Sequence, residues 1–194
     1  ILQSIEGVSI PKCLMLYGFS RSAALSHYGI LNGIAMPCIL FPSAITNSIS
    51  MMMLPTVAEI QAASQNRTLR QLIRKVSISC LLLGFFCTCG FLLTADFLGS
   101  FVFQSPEAAS YIRVLAFICP FLYTNSTYIS MLNGLGHTGL AFLINFTGLC
   151  IRIAGVFFLI PQTGISGYLT GLLSSQIFVF LASVRVLFRT VQRT

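Results

Sequence analysis

Charge is what this sequence has least of. Asp, Glu, Lys and Arg make up 8% of the 194 residues, against about 25% in soluble globular chains, and that scarcity excludes an ordinary water-soluble fold. Carboxylates are the rarest: Glu6, Glu59, Asp96 and Glu107 are scattered over four regions. They do not supply the cluster of acids, bases or metal ligands that a membrane enzyme needs. Also missing are a Gly-rich phosphate loop ending in Lys-Ser or Lys-Thr, a His-Glu-x-x-His pair and a Ser/His/Asp set. No catalytic residue, metal or cofactor is therefore expected. The seven cysteines are odd in number, and most lie in apolar runs without a paired His or carboxylate. They read as small apolar filler, neither disulfide framework nor metal site. A basic n-region with a short apolar run and cleavage site is not seen, so no signal peptide is expected. The start in mid-apolar sequence at Ile1 reads as a fragment that begins inside a helix.

What the sequence has instead is apolar length. Hydrophobic residues account for 56% and mean hydropathy is +0.89. The uncharged stretches Ser22 to Ala58, Val114 to Ile151 and Ile153 to Val184 each exceed the roughly 20 residues that a spanning helix needs. A 21.2 kDa aqueous core could not bury this surface, so the bilayer must act as solvent for it. The expectation is an all-α, multi-pass integral membrane protein. Net charge is +7, with cations spread thinly between apolar segments, which points to anionic lipid headgroups and away from nucleic acid.

Charges and turn residues divide the chain into six apolar segments. The first, Ile1 to about Tyr17, is incomplete. The second, about Ala23 to Leu54, outruns the bilayer and holds Pro37, Pro42 and Pro55 near its course, so a bend is expected. The others are about Val76 to Ala95, Tyr111 to Asn133, Thr138 to Ile160 and Ile165 to Val184, the last three joined by hairpin turns at Gly134–His137 and Pro161–Gly164. Arg67, Arg70, Arg74, Lys75 and the tail residues Arg185, Arg189 and Arg193 mark the cytoplasmic side. The loop with Asp96 and Glu107 then faces outward. Ser64 to Lys75 alternates apolar and basic faces and reads as an amphipathic helix lying on the cytoplasmic surface. Phe97 to Gln104 reads as an interfacial turn on the outer face.

An ionisable group inside a span requires a partner or an aqueous cavity. Arg152, deep in the fifth segment, and Glu6, in the first, are the two that meet this description. Together with Lys12 they are candidates to line a cavity that attracts an anionic cargo group. Internal pairing of Arg152 with a carboxylate is the structural alternative. Asn32, Asn47, Asn125, Asn145 and Gln176 could contact cargo, although interhelical hydrogen bonds are the commoner use of such residues. Gly29 with Gly33, and Gly167 with Gly171, have the spacing of close helix contacts.

The order of these features resembles a known family. Tyr28-Gly29-Ile30-Leu31-Asn32-Gly33-Ile34-Ala35-Met36-Pro37, then Phe41-Pro42-Ser43-Ala44-Ile45-Thr46-Asn47-Ser48-Ile49-Ser50, then Leu54-Pro55-Thr56-Val57-Ala58-Glu59 are similar to the second helix of the C-terminal lobe in the polysaccharide-biosynthesis and stage V sporulation protein B family. This family sits within the multidrug/oligosaccharidyl-lipid/polysaccharide exporter superfamily. The basic stretch Arg67 to Lys75, Tyr111 to Ala116, and Leu132 to His137 also look like that family, and Arg152 falls where its members carry Lys or Arg.

The resemblance implies that residues 1–194 are a C-terminal six-helix lobe, its first helix truncated and its N-terminal lobe missing, from a two-lobe alternating-access transporter of the bacterial cytoplasmic membrane. It implies a flippase that moves lipid-linked oligosaccharide or a lipid II type peptidoglycan precursor for cell-wall or spore-cortex synthesis. The partners would be the lipid-linked glycan and the N-terminal lobe of the same protein, and the cargo-cavity candidates are Arg152, Glu6, Lys12 and Asn32. Related lipid II flippases of the MviN type carry a cavity Arg in the helix that here reads Tyr28 to Pro42 without charge, so Arg152 or Lys12 would substitute. The alternatives are a cation-coupled multidrug exporter of the same fold, relying on Glu6, and a non-transporting scaffold in spore-envelope assembly.

Overall fold

The computed structural model describes residues 2–193, with side chains placed from Glu6 to Thr190, and every element among them is helical. The order is α1 (Leu2–Tyr17), α2 (Arg21–Ile30), a wide turn at Leu31–Ala35, α3 (Met36–Leu40), α4 (Ser43–Ala62), α5 (Asn66–Phe97), a second wide turn at Leu98–Val102, α6 (Pro106–Ala116), α7 (Cys119–Gly134), α8 (Thr138–Phe158), α9 (Ile160–Thr163) and α10 (Ile165–Arg193). Among the described residues, four stretches are long and apolar enough to cross a bilayer: Arg21–Leu40, Asn66–Val102, Thr138–Phe158 and Ile165–Thr190. The pair α6 and α7, meeting at 52°, makes a fifth if it is one span. Helix α1 has 16 residues, short of the spanning length. The chain is an all-helical, multi-pass membrane protein.

Prolines break the helices, and side chains from neighbouring helices repair the breaks. Pro37 has no N–H to offer the carbonyl four residues back, and the helix widens just before it, so that Met36 N–H reaches Leu31 C=O. At Phe41-Pro42 the chain breaks again. There the Tyr123 hydroxyl donates to Ile39 C=O at 2.7 Å and the Ser43 hydroxyl to Leu40 C=O at 2.6 Å. The expected bend of the second segment is therefore present and is built from this turn and this break.

Pro120 produces the α6–α7 break in the same way. It cannot donate to Ala116 C=O, and the Thr88 hydroxyl of α5 takes that role at 2.8 Å. Gly84, one turn before Thr88, lets α5 approach this break, since a Cβ there would collide with the Pro120 backbone. Thr88→Val is expected to leave Ala116 C=O unpaired and to lower stability by about 1 kcal/mol, read as a lower unfolding midpoint in detergent. Thr94→Val, which loses only a bond to its own helix, should leave the midpoint unchanged.

Helix α7 is the hub, packed against α4, α5, α8 and α10, while α8 lies along α10. Two apolar clusters result. One, including Ile10, Leu14, Ala95, Tyr111 and Ile160, occupies the end of the bundle with the α1–α2, α5–α6 and α9 connections. The other, including Val57, Leu69, Ile73, Leu132 and Leu187, occupies the end where the basic stretches Arg67–Lys75 and Arg185–Arg189 lie.

Three expectations are corrected. Ser64–Lys75 is not a separate surface helix: from Asn66 onward it is the first turns of α5, with Leu69 and Ile73 buried in the second cluster. No Gly or Pro separates Lys75 from Val76, so the helix continues. Phe97–Gln104 is mostly a helical extension of α5 through Val102, closed by Phe103 N–H to Leu98 C=O at 2.9 Å, and the turn falls at Gln104. Gly29 and Gly33 meet no neighbour, whereas Gly171 lies against Gly155 and Gly167 against the Leu159 backbone.

Candidate functional site

Arg152 projects from α8 six residues before its end at Phe158, roughly 9 Å along the axis. Its guanidinium Nη2 donates to Glu6 Oε2 at 2.6 Å. Glu6 Oε1 accepts from the Tyr168 hydroxyl at 3.1 Å. Helices α1, α8 and α10 thus contribute one residue each to an intramembrane triad in which Glu6 is 6% exposed and Tyr168 4%. Partial desolvation makes each partner necessary: a charge left alone in hydrocarbon costs several kcal/mol, and the pair plus hydroxyl removes most of that penalty.

Two cavities flank Arg152. The smaller, about 180 Å³, is lined by Glu6, Tyr28, Asn32, Met36 and Tyr168 together with Arg152. A Cβ at Gly7 would lie 3.1 Å from the Tyr28 hydroxyl, so glycine there leaves room for Tyr28 beside the triad. The larger cavity, about 370 Å³, opens between α7, α8 and α10 and is lined by Asn125, Ser126, Asn145, Ser175 and Gln176 with Arg152. Asn125 donates to Gln176 through both its main-chain carbonyl, at 3.0 Å, and its side-chain oxygen, at 2.8 Å. A third, shallower depression between α4 and α7 shares Ser126 and Ile129 with it and adds Asn47, Ser50, Ser130 and Asn133. One polar face of α7 therefore joins the second and third.

Of the residues singled out in the sequence, the structure brings Arg152, Glu6 and Asn32 to one cavity. Lys12 is exposed on α1 and is not part of that lining. Asn125 and Gln176 make the interhelical bond that is the commoner use of such residues, and they also line the larger cavity. Tyr168 and Tyr28 were not legible as site residues. The available signal is a tyrosine inside an apolar run, whose hydroxyl must find a partner when buried.

At the end with the α5–α6 connection, the acidic residues are paired as well. Asp96 holds Arg113, both well exposed. His27 Nδ1 lies 2.9 Å from the Tyr111 hydroxyl and 3.2 Å from Glu107. No group of three or more His, Cys, Asp or Glu among the described residues could hold a metal ion.

These observations define a membrane-embedded helical bundle with a buried ion pair between polar cavities. The chain is 26% identical over 178 residues to stage V sporulation protein B of Bacillus subtilis (strain 168), covering 91% of this chain and 34% of that protein. It is 30% identical over 118 residues to sporulation protein YkvU of the same organism, covering 59% of this chain and 26% of that protein. The chain thus spans about a third of one relative's length and a quarter of the other's. No family model and no solved structure matches it. The chain is thus similar to two sporulation proteins of one organism.

Proposed function

We propose that this chain is one six-helix lobe of an alternating-access transporter that flips a lipid-linked oligosaccharide, or a peptidoglycan precursor of the lipid II type, for cell-wall or spore-cortex synthesis. The observation that carries this reading is Arg152, held by Glu6 yet lining a polar cavity on either side. A guanidinium suits phosphate oxygens because its planar donors match them in pairs. An anionic cargo group offers Arg152 a second partner while Glu6 keeps the Tyr168 hydroxyl, so the exchange need not strand either charge. The partners of this lobe are then the lipid-linked glycan, anionic lipids along the basic stretches, and a companion lobe of the same protein. Chemistry on the cargo is not part of the proposal.

Arg152→Ala in the full-length protein should reduce flipping per folded molecule roughly tenfold or more, the scale of losing a charged hydrogen bond of about 1.5–3 kcal/mol, with flipping normalised to folded protein because the change also strands the buried Glu6 carboxylate. Arg152→Lys should fall between, keeping charge without the planar fork. Normal flipping by Arg152→Ala would sink the reading. The multidrug-exporter alternative rests on Glu6 as a buried carboxylate, and the pairing of Glu6 with both Arg152 and Tyr168 disfavours it. Drug-resistance and lipid-flipping assays in one strain lacking the protein separate the two.

A further inference from the structure

The end of the bundle opposite the basic stretches holds a histidine with two competing partners. His27 lies in the last turn of α2, and its side chain is 18% exposed. Its Nδ1 is 2.9 Å from the Tyr111 hydroxyl and 3.2 Å from Glu107 Oε2. Tyr111 is buried and Glu107 exposed, and they stand four residues apart on α6, hence on one face of that helix. From the α1–α2 connection the Phe19 ring packs on the imidazole at 4.8 Å, with Tyr17 5.5 Å behind it. Other charged groups of these elements are engaged elsewhere or exposed: Glu6 of α1 holds Arg152, Arg113 of α6 holds Asp96 of α5, and Lys12 and Arg21 are exposed. Among the described residues, Tyr111 and Glu107 are thus the ionisable groups within reach of His27 Nδ1. A ring nitrogen carries either a lone pair or a proton. With a lone pair, Nδ1 accepts from the Tyr111 hydroxyl and meets the Glu107 carboxylate as acceptor against acceptor. With a proton, it donates to Glu107, and in the imidazolium that bond is charge-assisted. Glu107 is in the first turn of α6, where the helix dipole attracts an anion.

We propose that His27 is a proton-operated switch between α2 and α6, bonded to Tyr111 when the imidazole is neutral and to Glu107 when it is protonated. Imidazole is the side chain that ordinarily changes charge between about pH 5 and 8. Acid therefore strengthens the Glu107 contact and withdraws the Tyr111 one, and alkali does the reverse. The two stations are about 6 Å apart along the α6 axis, so the exchange moves the point at which α2 is held. The distribution of cations assigns this end to the outside, so the switch reads the pH there. Tyr28, the next residue of α2, and Asn32 line the small cavity beside Arg152, and a change in how α2 is held reaches that wall. The switch goes beyond the transport reading and does not depend on it, since it stands on the α2–α6 contact alone.

Cys13 serves as the reporter: it is 4% exposed, in the apolar cluster that also holds Ala24 of α2 and Ile112 of α6. A buried thiol reacts through transient opening, so its labelling rate follows the population of open forms. The test is N-ethylmaleimide labelling of the full-length protein in nanodiscs at about pH 5.5 and about pH 8, either side of the imidazole range, read peptide by peptide by mass spectrometry. Variant and wild type are compared at the same pH, which cancels the pH dependence of the thiol itself. Glu107→Gln should raise Cys13 labelling roughly threefold at the lower pH, the scale of a partly exposed ion pair, and leave it unchanged at the higher. Tyr111→Phe should do the opposite. Cys80, buried on α5 against Thr127, should label alike in all three proteins. If it rises in Tyr111→Phe, that variant has loosened the whole bundle, and Glu107→Gln, a change on an exposed side chain, decides alone. An effect of Glu107→Gln that is equal at the two pH values, confined to the higher one, or absent at both overturns the proposal. The predicted response together with normal flipping by Arg152→Ala would support the switch and refute the transport reading. Impaired flipping with a pH-independent response would do the reverse.

Discussion

Glu6→Ala is expected to lower the stability of the full-length protein by about 3 kcal/mol and to shift its detergent unfolding midpoint accordingly. Removing one partner of a buried ion pair costs about 3–5 kcal/mol, because the other charge is stranded. The lower end applies because the Arg152 side chain keeps 18% exposure. The Tyr168 hydroxyl loses its acceptor in the same step. Replacing both charges with apolar residues removes the need for the pair, so Glu6→Leu combined with Arg152→Leu should recover most of the lost stability while abolishing transport. Glu6→Gln keeps an acceptor for Tyr168 and should fall between. A double variant no more stable than Glu6→Ala would mean that the pair does not hold α1 to α8, and a wild-type midpoint for Glu6→Ala would refute the desolvation argument itself.

Much of the fold was legible because hydrocarbon imposes it. A bilayer leaves few alternatives to helices for uncharged runs such as Ile153 to Val184, and prolines at 37 and 42 announced a bend whose details they then produced. Pro120 carried the same signal but sat inside a run read as one apolar segment from about Tyr111 to Asn133. Its effect depends on Thr88, a residue of another helix that caps Ala116 C=O and makes the 52° break tolerable. Arg152 and Glu6 could each be singled out from the cost of intramembrane charge. That they meet could not be read, because they are 146 residues apart in sequence and contact across that distance is set by how α1, α8 and α10 pack. The glycine spacings show the same limit. Gly29–Gly33 and Gly167–Gly171 look alike in sequence, yet only the second has a helix against it.

That second spacing carries the other large expected effect. A Cβ on Gly155 would lie 3.0 Å from Gly171 Cα, so α8 and α10 touch backbone to backbone at this crossing. Backbone cannot swing aside as a side chain can, and the helices must separate to admit added atoms. Gly155 is three residues from Arg152 on α8, and Gly171 three from Tyr168 on α10, so each shares a face with its triad residue. Separation at the crossing therefore also widens the Arg152–Glu6–Tyr168 arrangement. Gly155→Ala should destabilise by about 1–3 kcal/mol, and Gly155→Leu by more, with flipping lost before unfolding is complete. Gly139→Ala is the matched control: it lies in the first turn of the same helix, exposed, with nothing within 4 Å. It should change stability by no more than about 0.5 kcal/mol, or raise it slightly through helix propensity. Unfolding midpoints of the three variants decide the matter, and Gly155→Ala behaving like Gly139→Ala would show that the α8–α10 crossing has room to spare.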